Sequence, residues 1–166
     1  MKTNIVLAGF MGTGKTTVGE RLATQLGLRF VDTDHEIVRA AGCSIADLFA
    51  QQGEAAFRSL EAEICQRFAR RAGQVVATGG GALLNTNTKQ AFMATGLVVC
   101  LLADIDTILA RVGHDPDRPL FGDRDKLTAL MAARRAHYAS LSNPVETAGR
   151  SPQEVTEEII RIWQQR

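Results

Sequence analysis

Short apolar runs alternate with longer amphipathic segments along the chain. Runs rich in Val, Ile and Leu are followed by stretches in which apolar residues recur every three or four positions. This alternation is typical of a parallel sheet covered by helices, so the sequence predicts an α/β fold. The predicted strands are residues 4–8, 29–31, 75–77 and 97–102, with a short fifth strand at 145–147.

Helical periodicity and turn residues predict the elements between these strands. Gly27, Gly42, Gly73 and Gly96 lie where helices are expected to stop, and Ser44 resembles the first residue of a capping box. The predicted helices are residues 15–26, 34–41, 44–53, 54–72, 86–95, 105–111, 125–141 and 152–165.

The segment 113–124 has no apolar period and contains two prolines and two glycines, so it is expected to be a loop. A loop of this length inside a compact domain is more often functional than ornamental.

Composition narrows the class of protein. A chain of 166 residues is expected to form one domain, and 45% hydrophobic with 22% charged residues is ordinary for a globular protein. A net charge of +1 disfavours nucleic acid or an acidic membrane surface as a partner. The longest apolar run, 97–103, is too short to span a bilayer, and no signal peptide is apparent, so we expect a cytoplasmic protein. Cys43, Cys65 and Cys100 lack ligand spacing, which disfavours a disulfide framework or a structural zinc.

Gly9-Phe-Met-Gly-Thr-Gly-Lys-Thr16 matches the P-loop pattern G-x-x-x-x-G-K-[ST] between a predicted strand and a predicted helix. The glycines let backbone N–H groups converge on phosphate oxygens, and the following helix adds its positive end. Lys15 can reach the β and γ phosphates, and Thr16 can place its hydroxyl on Mg²⁺. The sequence therefore predicts a nucleotide-binding site.

The motifs that are missing narrow the choice among P-loop proteins. The chain has no Asn-Lys-x-Asp motif, which GTPases use to read the base, and motors and transporters are usually much longer. A kinase that acts on a small molecule is the favoured interpretation.

Val31-Asp32-Thr33-Asp34 places two carboxylates just beyond the end of a predicted strand, where doubly wound sheets bind ligands. One carboxylate could face Mg²⁺ while the other faces an acceptor hydroxyl. The alternative is that Asp32 or Asp34 caps the next helix, and the two roles are compatible.

Two further segments carry weaker signals. Arg58 and Glu61 share a helical face, so Glu61 could orient the guanidinium, although a pair of this kind taken alone favours a solvent-exposed ion pair. Gly79, Gly80 and Gly81 end a buried strand, which indicates a required backbone conformation or close approach of a ligand rather than a flexible exit.

Two arginine sites come later in the chain. Arg118 lies in the loop, where it could either swing over a γ phosphate or remain solvated. Arg134 and Arg135 lie on a predicted helix, where most such residues are exposed.

Together these motifs resemble the shikimate kinase family from residue 4 to about 152. The matching segments are GFMGTGKTTVGERLA at 9–23, VDTD at 31–34, the block at 42–61, ATGGGA at 77–82, RPL at 118–120 and RxxxY at 134–138. Their order and spacing also agree with the family.

The resemblance implies a three-layer P-loop fold of the nucleoside monophosphate kinase type, with a five-stranded parallel sheet flanked by helices. A single domain, 1–166, would include a substrate-binding helical region at about 32–61 and a mobile lid at about 112–124. The implied reaction transfers the γ-phosphoryl group of ATP to the 3-hydroxyl of shikimate, on the way to chorismate and the aromatic amino acids.

The resemblance also implies residue roles, with Lys15, Asp34 and Arg118 catalytic. Shikimate would be held by Asp34, by the guanidinium groups of Arg58 and Arg134, and by the backbone wall of Gly79, Gly80 and Gly81, with Phe49 and Phe57 on its apolar edge. Thr16 and Asp32 would serve Mg²⁺. The nucleotide would be bound by Gly12, Thr13, Gly14, Lys15, Thr16, Thr17, Arg118 and Arg150, with Arg111 and Pro152 near the adenine.

One departure from the family pattern and two competing functions remain open. Many members carry Pro-Leu after the helical arginine, whereas this chain has Arg135-Ala-His137, so Arg135 is an alternative carboxylate clamp to Arg134. The competing functions are a P-loop kinase of another hydroxy acid, such as gluconate, and a nucleotide-binding regulator that has lost catalysis. We expect a monomer whose partners are ATP and shikimate.

Overall fold

Five parallel strands form one sheet in a computed structural model that describes residues 3–112 and 124–166. The strands are β1 (Asn4–Gly9), β2 (Arg29–Asp32), β3 (Gln74–Ala77), β4 (Gly96–Leu102) and β5 (Pro144–Glu146), in the order β2-β3-β1-β4-β5. Strand β1 pairs with β3 on one side and β4 on the other, and all six of its residues are buried. The predicted α/β fold with five parallel strands is confirmed.

Helices cover both faces of this sheet. They are α1 (Lys15–Leu26), α2 (Thr33–Ala41), α3 (Ile45–Ala69), α4 (Thr86–Thr95), α5 (Ile105–Val112), α6 (Arg124–Ala139) and α7 (Pro152–Gln164), with a short 3-10 turn at Ala82–Leu84. Because side chains alternate along a strand, Ile5 and Leu7 pack with α1 and α7, whereas Val6 and Ala8 pack with the helices of the opposite face. The core is therefore divided into two apolar layers by the sheet.

Helix α3 contains a break at Gly53, where φ is 81° and ψ is 174°. The two helices predicted at 44–53 and 54–72 thus correspond to the two halves of α3, although the second half already ends at Ala69. Ser44 accepts a hydrogen bond from the Asp47 N–H at 3.0 Å, which is the predicted cap.

Three sequence expectations concern smaller features. None of the helices within 3–112 and 124–166 is long and apolar enough to cross a membrane. The three cysteines in these ranges are free thiols, and burial raises the pKa of the Cys100 thiol to about 11. The predicted loop and the predicted lid, including Arg118, lie mostly outside the described residues, and Arg124, the last residue of both, begins α6 instead.

Candidate active site

The P-loop connects β1 to α1 at the carboxyl edge of the sheet. Gly14 adopts a left-handed conformation with φ of 97°, and no side chain of the described residues caps α1 there. The N–H groups of the first turn are therefore left for a ligand, which is how P-loops bind phosphate. Lys15 Nζ lies 2.8 Å from the carbonyl oxygens of both Gly9 and Phe10, so its ammonium group is held against the loop itself.

Thr16 and Asp32 lie next to each other at the start of α1 and the end of β2. The Thr16 hydroxyl donates to Asp32 Oδ2 at 2.9 Å, while Asp32 Oδ1 accepts from the N–H groups of Asp34 at 3.0 Å and His35 at 3.4 Å. Asp32 therefore caps α2 and faces Thr16 at the same time. Mg²⁺ prefers oxygen ligands and usually keeps several waters beside one or two protein groups, so this hydroxyl and carboxylate fit the ion.

Four charged side chains from three helices converge on Gly79, Gly80 and Gly81, which follow β3. A Cβ atom on Gly79 would lie 2.8 Å from Asp34 Oδ1 and 2.9 Å from Glu61 Oε1. On Gly81 it would lie 3.0 Å from Arg58 Nη1, and on Gly80 it would lie 3.3 Å from Arg134 Nη1. We name Asp34, Arg58, Glu61 and Arg134 the acceptor cluster.

None of the three glycines is among the described residues that have a positive φ, so none of them adopts a left-handed backbone conformation. A required left-handed conformation is therefore not the reason for this run, and close approach of a ligand stays a prediction. What the structure shows is that a Cβ atom on any of the three glycines would come within 2.8–3.3 Å of a charged side-chain end of the acceptor cluster, which would have to shift. The Gly79 N–H also donates to the Thr33 hydroxyl at 3.0 Å, which connects the glycine turn, residues 79–81, to the start of α2.

Glu61 is the buried member of the acceptor cluster. Its side chain is 6% exposed and bonds Arg58 at 2.7 Å, whereas the Arg58 side chain is 36% exposed. Burial raises the pKa of Glu61, and Asp34 raises it further, while Arg58 and Arg134 lower it. The expectation of a solvent-exposed ion pair is wrong for Glu61, because the glycine turn lies over its side chain.

Helix α6 brings Arg134 to the cluster and leaves Arg135 outside it. Arg134 is half-buried and its guanidinium lies beside Gly80 and Gly81, whereas Arg135 is exposed. Consecutive residues point in different directions on a helix, so only one of the two arginines can face the glycines.

Tyr138 is the tyrosine of the RxxxY segment, to which the sequence analysis assigned no role of its own. Its hydroxyl donates to the Gly80 carbonyl at 2.7 Å, and its ring packs edge to face against Phe10 of the P-loop. The spacing of four between Arg134 and Tyr138 places both on one helical face, which is the signal in the sequence that could have found it.

The other side of the P-loop is bordered by Arg111 and the segment between β5 and α7. Arg111 donates to the Thr147 hydroxyl at 2.9 Å and to its carbonyl at 2.7 Å, and it reaches the Thr13 carbonyl at 3.4 Å. Arg150 pairs with Glu158 at 2.6 Å, beside the Pro152 that begins α7. The family resemblance expects the adenine near these residues, and in the structure the bonds given above are to the protein's own groups.

A P-loop after the central strand, next to a cluster of two arginines and two carboxylates, is typical of phosphotransferases for small molecules of the P-loop kinase class. A family model described as shikimate kinase matches residues 11–164. The chain therefore belongs to the shikimate kinase family, whose members transfer a phosphoryl group from ATP to a hydroxyl of shikimate.

Individual relatives agree with this assignment. Shikimate kinase of Geobacter sulfurreducens is 45% identical over 94% of this chain and 88% of its own length, and that of Symbiobacterium thermophilum is 45% identical over 98% and 97%. The structure of shikimate kinase from Acinetobacter baumannii in complex with shikimate has a TM-score of 0.92 and 34% identity, covering 98% of this chain and 93% of that one. A gluconokinase from Sinorhizobium meliloti, with a TM-score of 0.61 and 20% identity, shares the fold alone.

Proposed function

We propose that this chain is a shikimate kinase that transfers the γ-phosphoryl group of Mg-ATP to the 3-hydroxyl of shikimate. The observation that carries the proposal is the convergence of the acceptor cluster on Gly79–Gly81 beside the P-loop. Shikimate is a small ring with one carboxylate and adjacent hydroxyls. Its site therefore needs cations to bind the carboxylate and hydrogen-bond acceptors to bind the hydroxyls. The Acinetobacter baumannii relative was solved in complex with shikimate, which supports this acceptor.

The two arginines supply the cations. Arg58 and Arg134 both lie within 3.4 Å of the Cβ position of Gly81, so one carboxylate can be bound by both guanidinium groups. Glu61 holds Arg58 in place through the bond of 2.7 Å. The glycine turn, which lacks side chains, then lets the ring approach the backbone.

The nucleotide side is proposed to use the P-loop residues 12–17, with Arg150, Arg111 and Pro152 near the adenine. Lys15 would exchange the carbonyl oxygens of Gly9 and Phe10 for phosphate oxygens. Thr16 and Asp32 would hold Mg²⁺, which when bound neutralises charge on the phosphate oxygens. Arg118 is proposed to stabilise the transferring group from the lid.

Asp34 is proposed to act on the attacking hydroxyl. It accepts the hydrogen bond of the 3-hydroxyl and takes its proton as the oxygen bonds to the γ phosphorus. The bond from that phosphorus to the bridging oxygen breaks, and ADP leaves with the electron pair. Asp34 lies in the first turn of α2, at the positive end of the helix.

The remaining expectations from the sequence are carried forward as part of the same proposal. We propose one domain, 1–166, acting as a cytoplasmic monomer in aromatic amino-acid biosynthesis, with ATP and shikimate as partners and neither nucleic acid nor membrane involved.

The test is ADP release from Mg-ATP with shikimate, quinate or gluconate as acceptor. We expect release that depends on shikimate and is much slower with the other two acids. Gluconate is in the panel because a gluconokinase shares the fold. Release with shikimate no faster than with water would overturn the proposal.

A further inference from the structure

We infer that Tyr138 is a positioning residue that aligns Arg134 and the Gly80 carbonyl for binding of the acceptor carboxylate. The inference rests on the proposed function, because it concerns how the acceptor is bound. Tyr138 does not need to touch the acceptor, since its effect would pass through two groups that line the pocket.

The Tyr138 hydroxyl lies between those two groups. Its hydrogen is donated to the Gly80 carbonyl at 2.7 Å, which leaves the lone pairs of its oxygen for a donor. Burial raises the pKa of the phenol, and the guanidinium of Arg134 lowers it through its charge and through hydrogen bonding to that oxygen. One hydroxyl therefore connects the helix that carries Arg134 to the glycine turn that follows β3.

Packing fixes the Tyr138 ring, so the hydroxyl has little freedom to move. The residue is 8% exposed, and its ring lies 6.4 Å from the Phe10 ring at an angle of 85°. The Arg134 guanidinium carbon lies 5.9 Å from the centre of the same Phe10 ring, which adds a cation–π contact. Phe10 thus supports both the tyrosine and the arginine from the P-loop side.

The hydrogen bond constrains the glycine turn as well as the arginine. With the Gly80 carbonyl bonded to Tyr138, the peptide that joins Gly80 to Gly81 cannot rotate without breaking that bond. Arg134 Nη1 lies 3.3 Å from the Cβ position of Gly80, so the constraint sets the gap between the cation and the wall. A carboxylate that enters the gap meets groups that are already oriented, which lowers the entropic cost of binding.

The test compares Tyr138→Phe with the wild type in steady-state kinetics. We expect the KM for shikimate to rise about tenfold, the scale of one hydrogen bond to a charged group, while the KM for ATP stays unchanged and kcat changes little. Phenylalanine keeps the ring that lines a cavity of about 40 Å³ with Phe10 and Met131, so the variant should fold. The affinity of the variant for shikimate, measured by calorimetry, should weaken by the same factor.

The matched control is Ser140→Ala, just after α6. The Ser140 hydroxyl donates to the His137 carbonyl at 2.6 Å and accepts from Lys89 at 3.1 Å, so this variant also loses a hydroxyl that takes part in two bonds. It contacts neither Arg134 nor Gly80 through those bonds, and we expect both KM values to be unchanged.

A double variant shows whether the effect passes through Arg134. In an Arg134→Ala background, Tyr138→Phe should raise the shikimate KM by clearly less than it does in the wild type. If the effects of the two substitutions are fully additive, the inference is overturned. It is also overturned if the wild type is active and Tyr138→Phe leaves the shikimate KM unchanged, and in both cases the proposed function still stands. Absence of shikimate-dependent ADP release in the wild type would overturn the proposed function and the inference with it.

Discussion

Two carboxylates of the acceptor cluster face the same glycine and are suited to different tasks. Glu61 is buried and bonded to Arg58, so its charge is used to orient a cation. Asp34 is only half-buried and lies in the first turn of α2, where an acceptor hydroxyl can reach it. The difference in surroundings supports the proposal that Glu61 orients Arg58 and that Asp34 acts on the acceptor hydroxyl.

Asp34→Asn tests the second assignment. Asparagine keeps the size of the side chain but accepts no proton, so we expect kcat to fall by about 100-fold or more while the KM for ATP stays within about twofold. Steady-state kinetics with each substrate varied in turn measure both values. An unchanged kcat would exclude Asp34 from the proton transfer.

Arg134→Ala and Arg135→Ala form a matched pair on one helix. Arg134 lies beside Gly80 and Gly81 and Arg135 is exposed, so only Arg134→Ala should raise the KM for shikimate, by about 100-fold for the loss of a charge-assisted contact. The same kinetics check both variants. A strong effect of Arg135→Ala and a weak one of Arg134→Ala would reverse the assignment.

Glu61 also predicts a pH dependence of stability. Burial raises its pKa above the ordinary 4.5, so its contribution to stability is fully present below about pH 4.5 and is lost as the pH rises through the folded-state pKa. Glu61→Gln removes this titration. The stability of the wild type relative to this variant, measured by urea unfolding, should therefore decrease from about pH 4.5 towards neutral pH.

The control for this measurement is Glu63→Gln, which makes the same chemical change on the exposed face of α3. It reports the background of losing one carboxylate. If the Glu61→Gln difference does not depend on pH beyond that background, burial does not shift the titration of Glu61 in the way described.

Individual residues were predictable where a motif fixed their chemistry. The P-loop pattern gives Lys15 and Thr16 without any knowledge of the tertiary structure. The bond from Tyr138 to Gly80 joins residues that are 58 positions apart, and no local pattern reports such a pair. The burial of Glu61 was missed for the same reason, because the turn that covers it comes later in the chain.

At the scale of elements, the break in α3 shapes the acceptor side. Gly53, at φ of 81° and ψ of 174°, adopts a conformation that is essentially restricted to glycine. The change of direction brings Phe49, before the break, to 4.6 Å from Phe57, after it, as measured between ring centres. Arg58 follows Phe57 directly, and its guanidinium lies 5.0 Å from the centre of the Phe57 ring. The break therefore helps to place an arginine that is proposed to bind the acceptor carboxylate.

Gly53→Ala should therefore affect stability and acceptor binding together. We expect a loss of about 1–3 kcal/mol in the free energy of unfolding and a higher KM for shikimate, because alanine strains the break. Denaturant unfolding and steady-state kinetics measure the two effects. Gln51→Ala, at an exposed position just before the break, should change neither by much. A Gly53→Ala variant as stable as the wild type would argue against strain at this position.

The elements themselves followed from the sequence because their periodicity is local. Helix α1 begins at Lys15 and ends at Leu26 as predicted, since a P-loop fixes one end and Gly27 the other. The pattern could place a boundary near Gly53, but it could not show that the kink there brings Phe49 into contact with Phe57. That contact depends on the dihedral angles of a single glycine.

For the molecule as a whole, the strand order joins the two proposed substrate sites. Strand β1 carries the P-loop in the middle of the sheet, and its neighbour β3 leads into the glycine turn. Both therefore leave the same edge side by side, which brings the phosphate site next to the acceptor cluster. A ligand that binds here contacts several elements at once and should stabilise the folded chain globally.

Removal of the metal tests whether ligand binding at the proposed Mg²⁺ site stabilises the folded chain. ADP with Mg²⁺ should raise the Tm more than ADP with EDTA, since a ligand at about 100 times its Kd stabilises by about 2.7 kcal/mol and the metal tightens binding. Thr16→Val should reduce the part of the Tm increase that depends on Mg²⁺. Thr24→Val changes a threonine of the same helix whose hydroxyl bonds the Glu20 carbonyl, and it should leave that part intact. An equal Mg²⁺-dependent shift in Thr16→Val and wild type would exclude the Thr16 hydroxyl as a ligand.

The division of Asp32 between two tasks has an evolutionary consequence. One carboxylate oxygen caps α2 and the other accepts from Thr16, so most replacements would fray the helix that carries Asp34 as well as remove a proposed metal ligand. Asn, Ser and Thr would spare the helix, since their side-chain oxygens can also cap. We therefore expect descendants that lose phosphoryl transfer but keep a stable fold to carry one of these three residues at position 32.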